Sequence, residues 1–145
     1  MITARESGKD NGHIANTAFQ VGANPTRIAI SVQTGNLNRE LIERSGRFNV
    51  NVLTESVPFE IIRHFGMQSG RDVDKFADFP SVQRSANGLY FLTEYVNAMF
   101  SCEVKEKFDL GSHMLFIGEV TESKVLGSGA PCTYAYYHKA IRPKS

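Results

Sequence analysis

Val96-Asn97-Ala98-Met99-Phe100-Ser101-Cys102-Glu103-Val104 places Val96, Ala98, Phe100, Cys102 and Val104 at every second position. A side-chain period of two belongs to an extended strand with one face buried, not to a helix. The run turns at Asp109-Leu110-Gly111 into a second long strand over His113 to Val125. Earlier in the chain, Ile28, Ile30 and Val32 face one way in a strand from about Arg27 to Gln33, with Ala29 and Ser31 opposite. Phe48, Val50 and Val52 repeat the pattern, and Asn49 and Asn51 take the other face. The opening residues, Met1 to Arg5, read as a strand that turns at Lys9-Asp10-Asn11-Gly12, where Asn-Gly supplies the positive φ angles of a tight hairpin. Ala15, Thr17, Phe19 and Val21 then alternate with Asn16, Ala18 and Gln20 up to a break at Gly22-Ala23-Asn24-Pro25. After Gly127 to Pro131, a final strand is expected through Tyr134, Tyr136 and His138.

The period changes in two places. Asn36 can cap a helix reaching about Arg44, with Leu37, Leu41 and Ile42 on one side and Gly46 as its stop. Pro58 opens a second helix that carries Ile61, Ile62 and Phe65 and ends at Gly66. Met67 to Asn87 is the longest stretch without a clear period, and loops of that length in a compact domain are usually functional or mobile. The chain is therefore expected to be mainly β, a closed barrel with two or three short helices, and its 145 residues to form one domain.

Sixteen basic and fifteen acidic residues leave a formal charge of +1, which argues against a nucleic-acid or membrane-surface partner held by charge. No apolar run approaches the roughly 18 residues of a membrane span, and the opening residues lack the apolar centre of a signal peptide, so a cytoplasmic location is expected. Cys102 and Cys132 are too far apart for a CxxC pair and read as free, buried thiols. GxGxxG, Walker, HExxH and GxSxG motifs are absent, and His13, His64, His113 and His138 have no metal-ligand spacing. Asp72 and Asp74, flanked by Arg71 and Lys75, read as a solvated ion-paired loop. What is left for chemistry is a set of small polar groups: His13 to Thr17, Ser31 with Gln33, Asn36 with Asn38, and Ser69 to Lys75. Groups of this kind can hold a phosphate or a heterocycle without a P-loop.

Their order and surroundings resemble the flavin reductase-like family. The residues that carry the likeness are Gly12-His13-Ile14-Ala15-Asn16-Thr17, Asn24-Pro25-Thr26, the strand Ile28 to Gln33, and Ser45-Gly46-Arg47-Phe48-Asn49-Val50-Asn51-Val52-Leu53. Arg63-His64-Phe65-Gly66, Ser69-Gly70-Arg71-Asp72 and Asp74-Lys75-Phe76 follow, and Gly111-Ser112-His113 through Gly118-Glu119-Val120 complete the set. Ile14 to Thr17 and the ending Thr133 to His138 are most similar to the flavoredoxin-like and rubredoxin-linked subset. Two positions depart from the family pattern: Gln33 stands where a lysine is frequent, and Asn38 where threonine or serine is common. Family members usually carry a further helix and part of a first strand ahead of the point where Met1 stands, so Met1 is expected to start inside the first strand, with that helix missing.

The resemblance implies a split β-barrel of Greek-key type that binds FMN in preference to FAD at the junction of a homodimer. NADH or NADPH would be the transient donor. His13, Ile14, Ala15, Asn16 and Thr17 form the first implied cofactor-binding segment, in which Asn16 and Thr17 either contact the flavin or cap turn amides. Ser31, with Val32 and Gln33 beside it, and Asn36 with Asn38 are implied phosphate-side residues, although Asn36 can equally cap the helix. Lys75 either offsets the phosphate charge or pairs with Asp72 in solvent, and Phe65 and Phe76 pack on the ring or in the core. His113 is the implied catalytic residue, touching the nicotinamide or the flavin edge, unless it only braces its own turn. Three functions stay open: an NAD(P)H-dependent flavin or ferric reductase, an FMN electron carrier serving a redox protein such as rubredoxin, or a barrel without flavin acting as a binding module.

Overall fold

The structure is a computed structural model that describes residues 1–145. Seven strands form its main sheet: β1 (Ile2–Glu6), β2 (Lys9–His13), β3 (Ala18–Ala23), β4 (Thr26–Gln33), β5 (Arg47–Leu53), β8 (Val96–Asp109) and β9 (His113–Val125). Their order is β2-β1-β5-β8-β9-β4-β3, and every pairing is antiparallel. Two short strands, β6 (Val82–Arg84) and β7 (Tyr90–Leu92), make a separate hairpin. Three helices complete the elements: α1 (Leu37–Ser45), α2 (Phe59–Gly66) and the short α3 (Tyr134–Tyr136), which continues as a π-helical turn over Tyr137–Ile141. No helix is long and apolar enough to cross a membrane.

The sheet curls so that strands distant in its order share one core. Ile2 and Ala4 of β1, Ile28, Ile30 and Val32 of β4, Phe48 of β5, Cys102 of β8 and Phe116 of β9 pack together with Leu41 and Ile42 of α1. β2 and β3 remain the two free edges. The barrel read from strand periodicity is therefore a split one, as the family resemblance implies, and α1 packs against β1, β2 and β4. Gly118 allows the closest approach across this core, because a Cβ there would stand 2.7 Å from both Phe48 Cζ and Cys102 Cβ.

Strand periodicity places β4, β5, β8 and β9 as expected, and α1 has the expected caps. Asn36 Oδ1 accepts from Asn38 N at 2.9 Å, and Gly46 closes the helix at φ 69°. The first hairpin differs. Its turn is Ser7-Gly8, with φ of 49° and 79°, the two positive angles of a two-residue loop, and Glu6 pairs with Lys9. Asn11-Gly12 instead lies inside β2, where a Cβ on Gly12 would stand 2.9 Å from Met1 Cε and 3.1 Å from Phe65 Cδ1. The next strand begins at Ala18, so Ala15 to Thr17 are a connection and not strand. The final strand through Tyr134, Tyr136 and His138 is also corrected, because these residues are helical. Thr133 Oγ1 accepts from Tyr136 N at 3.1 Å as an N-cap, and Tyr134 stacks on Tyr137 and meets His138 edge-to-face at helical spacing.

Two buried polar groups hold the split barrel to its attachments. Asn49 and Asn51 are on the expected face of β5, but the β6–β7 hairpin covers that face and takes up their amides. Asn51 Oδ1 accepts from Leu92 N at 2.9 Å, while Asn49 Nδ2 donates to Ser85 Oγ at 2.8 Å. On α1, Asn38 is fully buried; its Nδ2 donates to Ile2 O at 3.2 Å and to His13 Nδ1 at 2.7 Å, and its Oδ1 accepts from Asn11 Nδ2 at 3.1 Å. A buried group stripped of its partner costs roughly 1–3 kcal/mol. Asn38→Ala strands three such groups, so denaturant unfolding of this variant is expected to show a loss of about 3 kcal/mol.

Candidate functional site

A cleft of about 1020 Å³ opens beside the free edge of the barrel. The connection from β2 to β3 supplies one side of it, through His13, Ile14, Ala15, Asn16 and Thr17. Thr17 is stitched to β4, since its N–H-bearing neighbour strand gives Ser31 N to Thr17 O at 3.4 Å and Thr17 Oγ1 donates to Ser31 O at 3.1 Å. Ser31 and Gln33 alternate toward the cleft from β4, and Asn36 follows at the start of α1. Across the β4–β9 ladder Gln33 pairs with His113, which brings His113 and Ser112 to the same wall. The second wall is apolar and aromatic. It comes from Leu53, Ile62 and Phe65, with Cys132, Tyr134 and Tyr137 from the last part of the chain.

Three residues expected at the cofactor do not reach the cleft. Val32 is in the core because strand alternation that turns Ser31 and Gln33 outward must turn Val32 inward. Asn38 is spent on the buried bonds to Ile2, His13 and Asn11. Phe76 packs behind the cleft, 5.2 Å from the Phe65 ring and 4.9 Å from Tyr90. Lys75 does border the cleft, but it is neither a solvated point charge nor a partner of Asp72. It is only 2% exposed, and Nζ donates to Gly12 O at 2.8 Å and Phe65 O at 2.7 Å. Burial, with the charge of Lys9 second, lowers its pKa to about 8.

Cys132, Thr133, Tyr134 and Tyr137 belong to the cleft and were not expected there. The available signal was the Tyr134, Tyr137, His138 spacing, which fits a helix as well as alternation fits a strand. Cys102 is buried as expected, and burial pushes its thiol up to about 12. Cys132 is only half-buried, and burial followed by the charge of Glu55 raises its pKa, so it is a poor nucleophile at neutral pH.

The polar wall contains uncommitted side chains. Asn16, Ser31 and Gln33 donate and accept no side-chain hydrogen bond within the protein, whereas Asn36 Oδ1 is used as the α1 cap and Ser112 Oγ lies 2.8 Å from His113 Nδ1. No aspartate or glutamate lines the cleft, and no three His, Cys, Asp or Glu side chains come together anywhere as a metal cage. His13 is neutral: burial first, then the adjacent terminal amine and Lys75, lower its pKa to about 3. Because Nδ1 accepts from Asn38, the ring proton is on Nε2. The cleft thus has no nucleophile–base pair of its own, and it is built to bind an amphipathic group. A flavin nucleotide fits it, with a flat apolar ring for the aromatic wall and a polyol phosphate for the neutral donors.

The whole chain, residues 1–145, matches the flavin reductase like domain, and the protein belongs to that family. The high molecular weight rubredoxin of Moorella thermoacetica is 40% identical over 142 residues, which cover 98% of this chain and 62% of that protein. The ferric-chelate reductase (NAD(P)H) of Archaeoglobus fulgidus is 33% identical over 145 residues, all of this chain and 85% of that one. Among solved structures, the flavoredoxin of Methanosarcina acetivorans superposes with a TM-score of 0.77 at 23% identity over 90% of this chain and 72% of its own. That last likeness is one of fold.

Burial of neutral His13 makes stability depend on pH. Its folded-state pKa of about 3 lies below the ordinary 6.5, so the unfolded chain binds the proton first as pH falls. The contribution is complete above pH 6.5 and is lost as pH drops toward 3, at about 1.4 kcal/mol per pH unit. Unfolding free energies measured from pH 7.5 to 4.5 are expected to fall less steeply for His13→Gln, which keeps an acceptor for Asn38, than for the wild type.

Proposed function

We propose that this chain is a cytoplasmic, single-domain FMN-binding oxidoreductase in which hydride passes from NADH or NADPH through bound flavin to an acceptor. One observation carries the reading: the cleft has an aromatic wall facing a wall of neutral, uncommitted donors, with no carboxylate to repel a phosphate. FMN has the same division between ring and ribityl phosphate. Bound flavin supplies the hydride and electron chemistry, and the protein's task is to hold it, orient it and exclude water. Asn16, Ser31 and Gln33 hold the polyol and phosphate, Phe65 backs the ring wall, and His113, oriented by Ser112, faces the entering nicotinamide. The Archaeoglobus relative is named for NAD(P)H and a ferric chelate, and the Moorella relative is a rubredoxin. Those names support a nicotinamide donor and a ferric or small redox-protein acceptor.

A second copy of the chain completes this site. Direct cross-strand pairs put Phe19 with Ala29, Ser31 with Leu115, and Leu115 with Phe108 on one outer face of the sheet. Phe19 and Phe108 are 56% and 46% exposed, and Leu110 at the cleft is 56% exposed. The face is apolar and continuous with the polar wall at Ser31. A partner of the same kind seated on it buries these side chains and closes the cleft at once.

The protein has no tryptophan, so binding is followed through the flavin's own absorption and fluorescence. FMN is expected to bind at one per chain and to support NADH or NADPH oxidation. Flavin binding with no nicotinamide oxidation by either donor would make the chain an electron carrier instead, and failure of the folded protein to bind FMN would refute the reading. Ser31→Ala and Gln33→Ala are each expected to weaken FMN binding by roughly tenfold. In sedimentation equilibrium the wild type is expected as a dimer, and Phe108→Glu as a monomer with weakened FMN binding. A monomeric wild type with full affinity for FMN would remove the second copy from the account.

A further inference from the structure

Lys75 is a buried cation without a counter-ion. No carboxylate lies within ion-pair distance of it, its ammonium donates only to the backbone carbonyls of Gly12 and Phe65, and the charged or titratable groups that act on it or feel it are Lys9 and His13, neither of them an anion. An ammonium carries three donor hydrogens, and only two are used. Burying a charge is costly unless it is paired, and here the side chain is 2% exposed on the border of a cleft that has no acid. Such a group is retained where an anion arrives.

The position of Lys75 decides which anion. Its hydrogen-bond partners are Gly12, just before the first wall begins at His13, and Phe65 of the aromatic wall, whereas the neutral donors Ser31, Gln33 and Ser112 belong to β4 and the start of β9. The charge is therefore held next to Phe65 of the aromatic wall and on other elements than the neutral donors. We propose that Lys75 stabilises the negative charge that a bound flavin ring acquires on reduction, and so favours the reduced over the oxidised cofactor. This rests on the FMN reading above. Hydride leaving the dihydronicotinamide carries two electrons and one proton to ring N5. The donor departs as oxidised nicotinamide, and the ring gains one negative charge, spread over its N1 and O2 edge. A fixed positive charge in a water-poor wall lowers the energy of that state more than it would in solvent. The lowered pKa of Lys75 is consistent with an ammonium that still lacks its anion.

The test is a pair of anaerobic titrations, with oxidised FMN and with chemically reduced FMN, on the full-length protein. Lys75→Met removes the charge and both carbonyl bonds, and Lys75→Gln removes the charge while keeping donors for those carbonyls. Lys75→Arg keeps the charge. Both neutral variants are expected to lose at least roughly tenfold in affinity for reduced FMN, with a change within about threefold for oxidised FMN, while Lys75→Arg keeps the wild-type ratio. Equal losses for the two redox states, or no loss in either, would overturn the proposal, the first by making Lys75 a structural clamp only. Wild-type protein that binds neither form refutes the FMN reading itself, and wild-type binding with an unchanged ratio in the variants refutes the role of Lys75 alone.

Discussion

A carboxamide placed in an apolar core must find partners for both its ends, and Asn38 does so in a way that positions most of the site. Its two N–H groups and its oxygen join the first turn of α1 to β1 through Ile2 and to β2 through His13 and Asn11. Without a helix held there, the split between β2 and β3 would expose the core behind Leu41 and Ile42. With it, the end of β2 is fixed, and the chain leaving His13 runs along the cleft as Ile14 to Thr17. The same bond selects the tautomer of His13, which burial keeps neutral. Packing, the tautomer of His13 and the first wall of the cleft therefore depend on one amide.

The second wall depends on a different economy. Lys75 ties the end of β2 to the end of α2 through two carbonyls, and Phe65, Phe76 and Phe79 pack in tilted and edge-to-face contacts around the same helix end. Gly66 keeps that contact close, because a Cβ there would stand 3.1 Å from Ile14 Cγ1. Aromatic packing gives the wall shape, and the single buried charge gives it polarity. Opposite it, β4 and β9 present side chains that make few bonds within the protein. Donors left unmade in the folded chain can be offered to a ligand without first breaking a native contact.

Much of the fold was legible because apolar residues spaced two apart in β4, β5 and the first half of β8 do pack into the core, although Ala29, Asn49, Asn51, Met99 and Ser101 on the opposite faces are buried as well. The α1 caps were legible because Asn36 and Gly46 act locally. The first hairpin was misplaced because two dipeptides compete: Asn-Gly is the stronger turn signal, but Gly12 is required for close packing against Met1 and Phe65, and Ser7-Gly8 takes the turn. Tyr134 to His138 fits both periods, and the Thr133 cap decided for helix. In the site, alternation already implied that Val32 cannot share a face with Ser31 and Gln33. Asn38 sits three and four residues before Leu41 and Ile42 on the buried face of α1, a placement that reads as structural. The burial of Lys75 was not legible, since its partners are backbone atoms separated from it by 63 and 10 residues.

One amphipathic cleft, with a polar wall from residues 13–36 and 112–113 and an apolar wall from residues 53–65 and 132–137, is the proposed flavin site. Hydrogen–deuterium exchange with and without FMN tests it most directly, because backbone amides report where the ligand sits independently of any turnover. Slowed exchange is expected in four stretches: 13–18, 31–36, 112–113 and 132–137. Protection confined to the β6–β7 hairpin or to the far ends of β8 and β9, with those stretches unchanged, would contradict it.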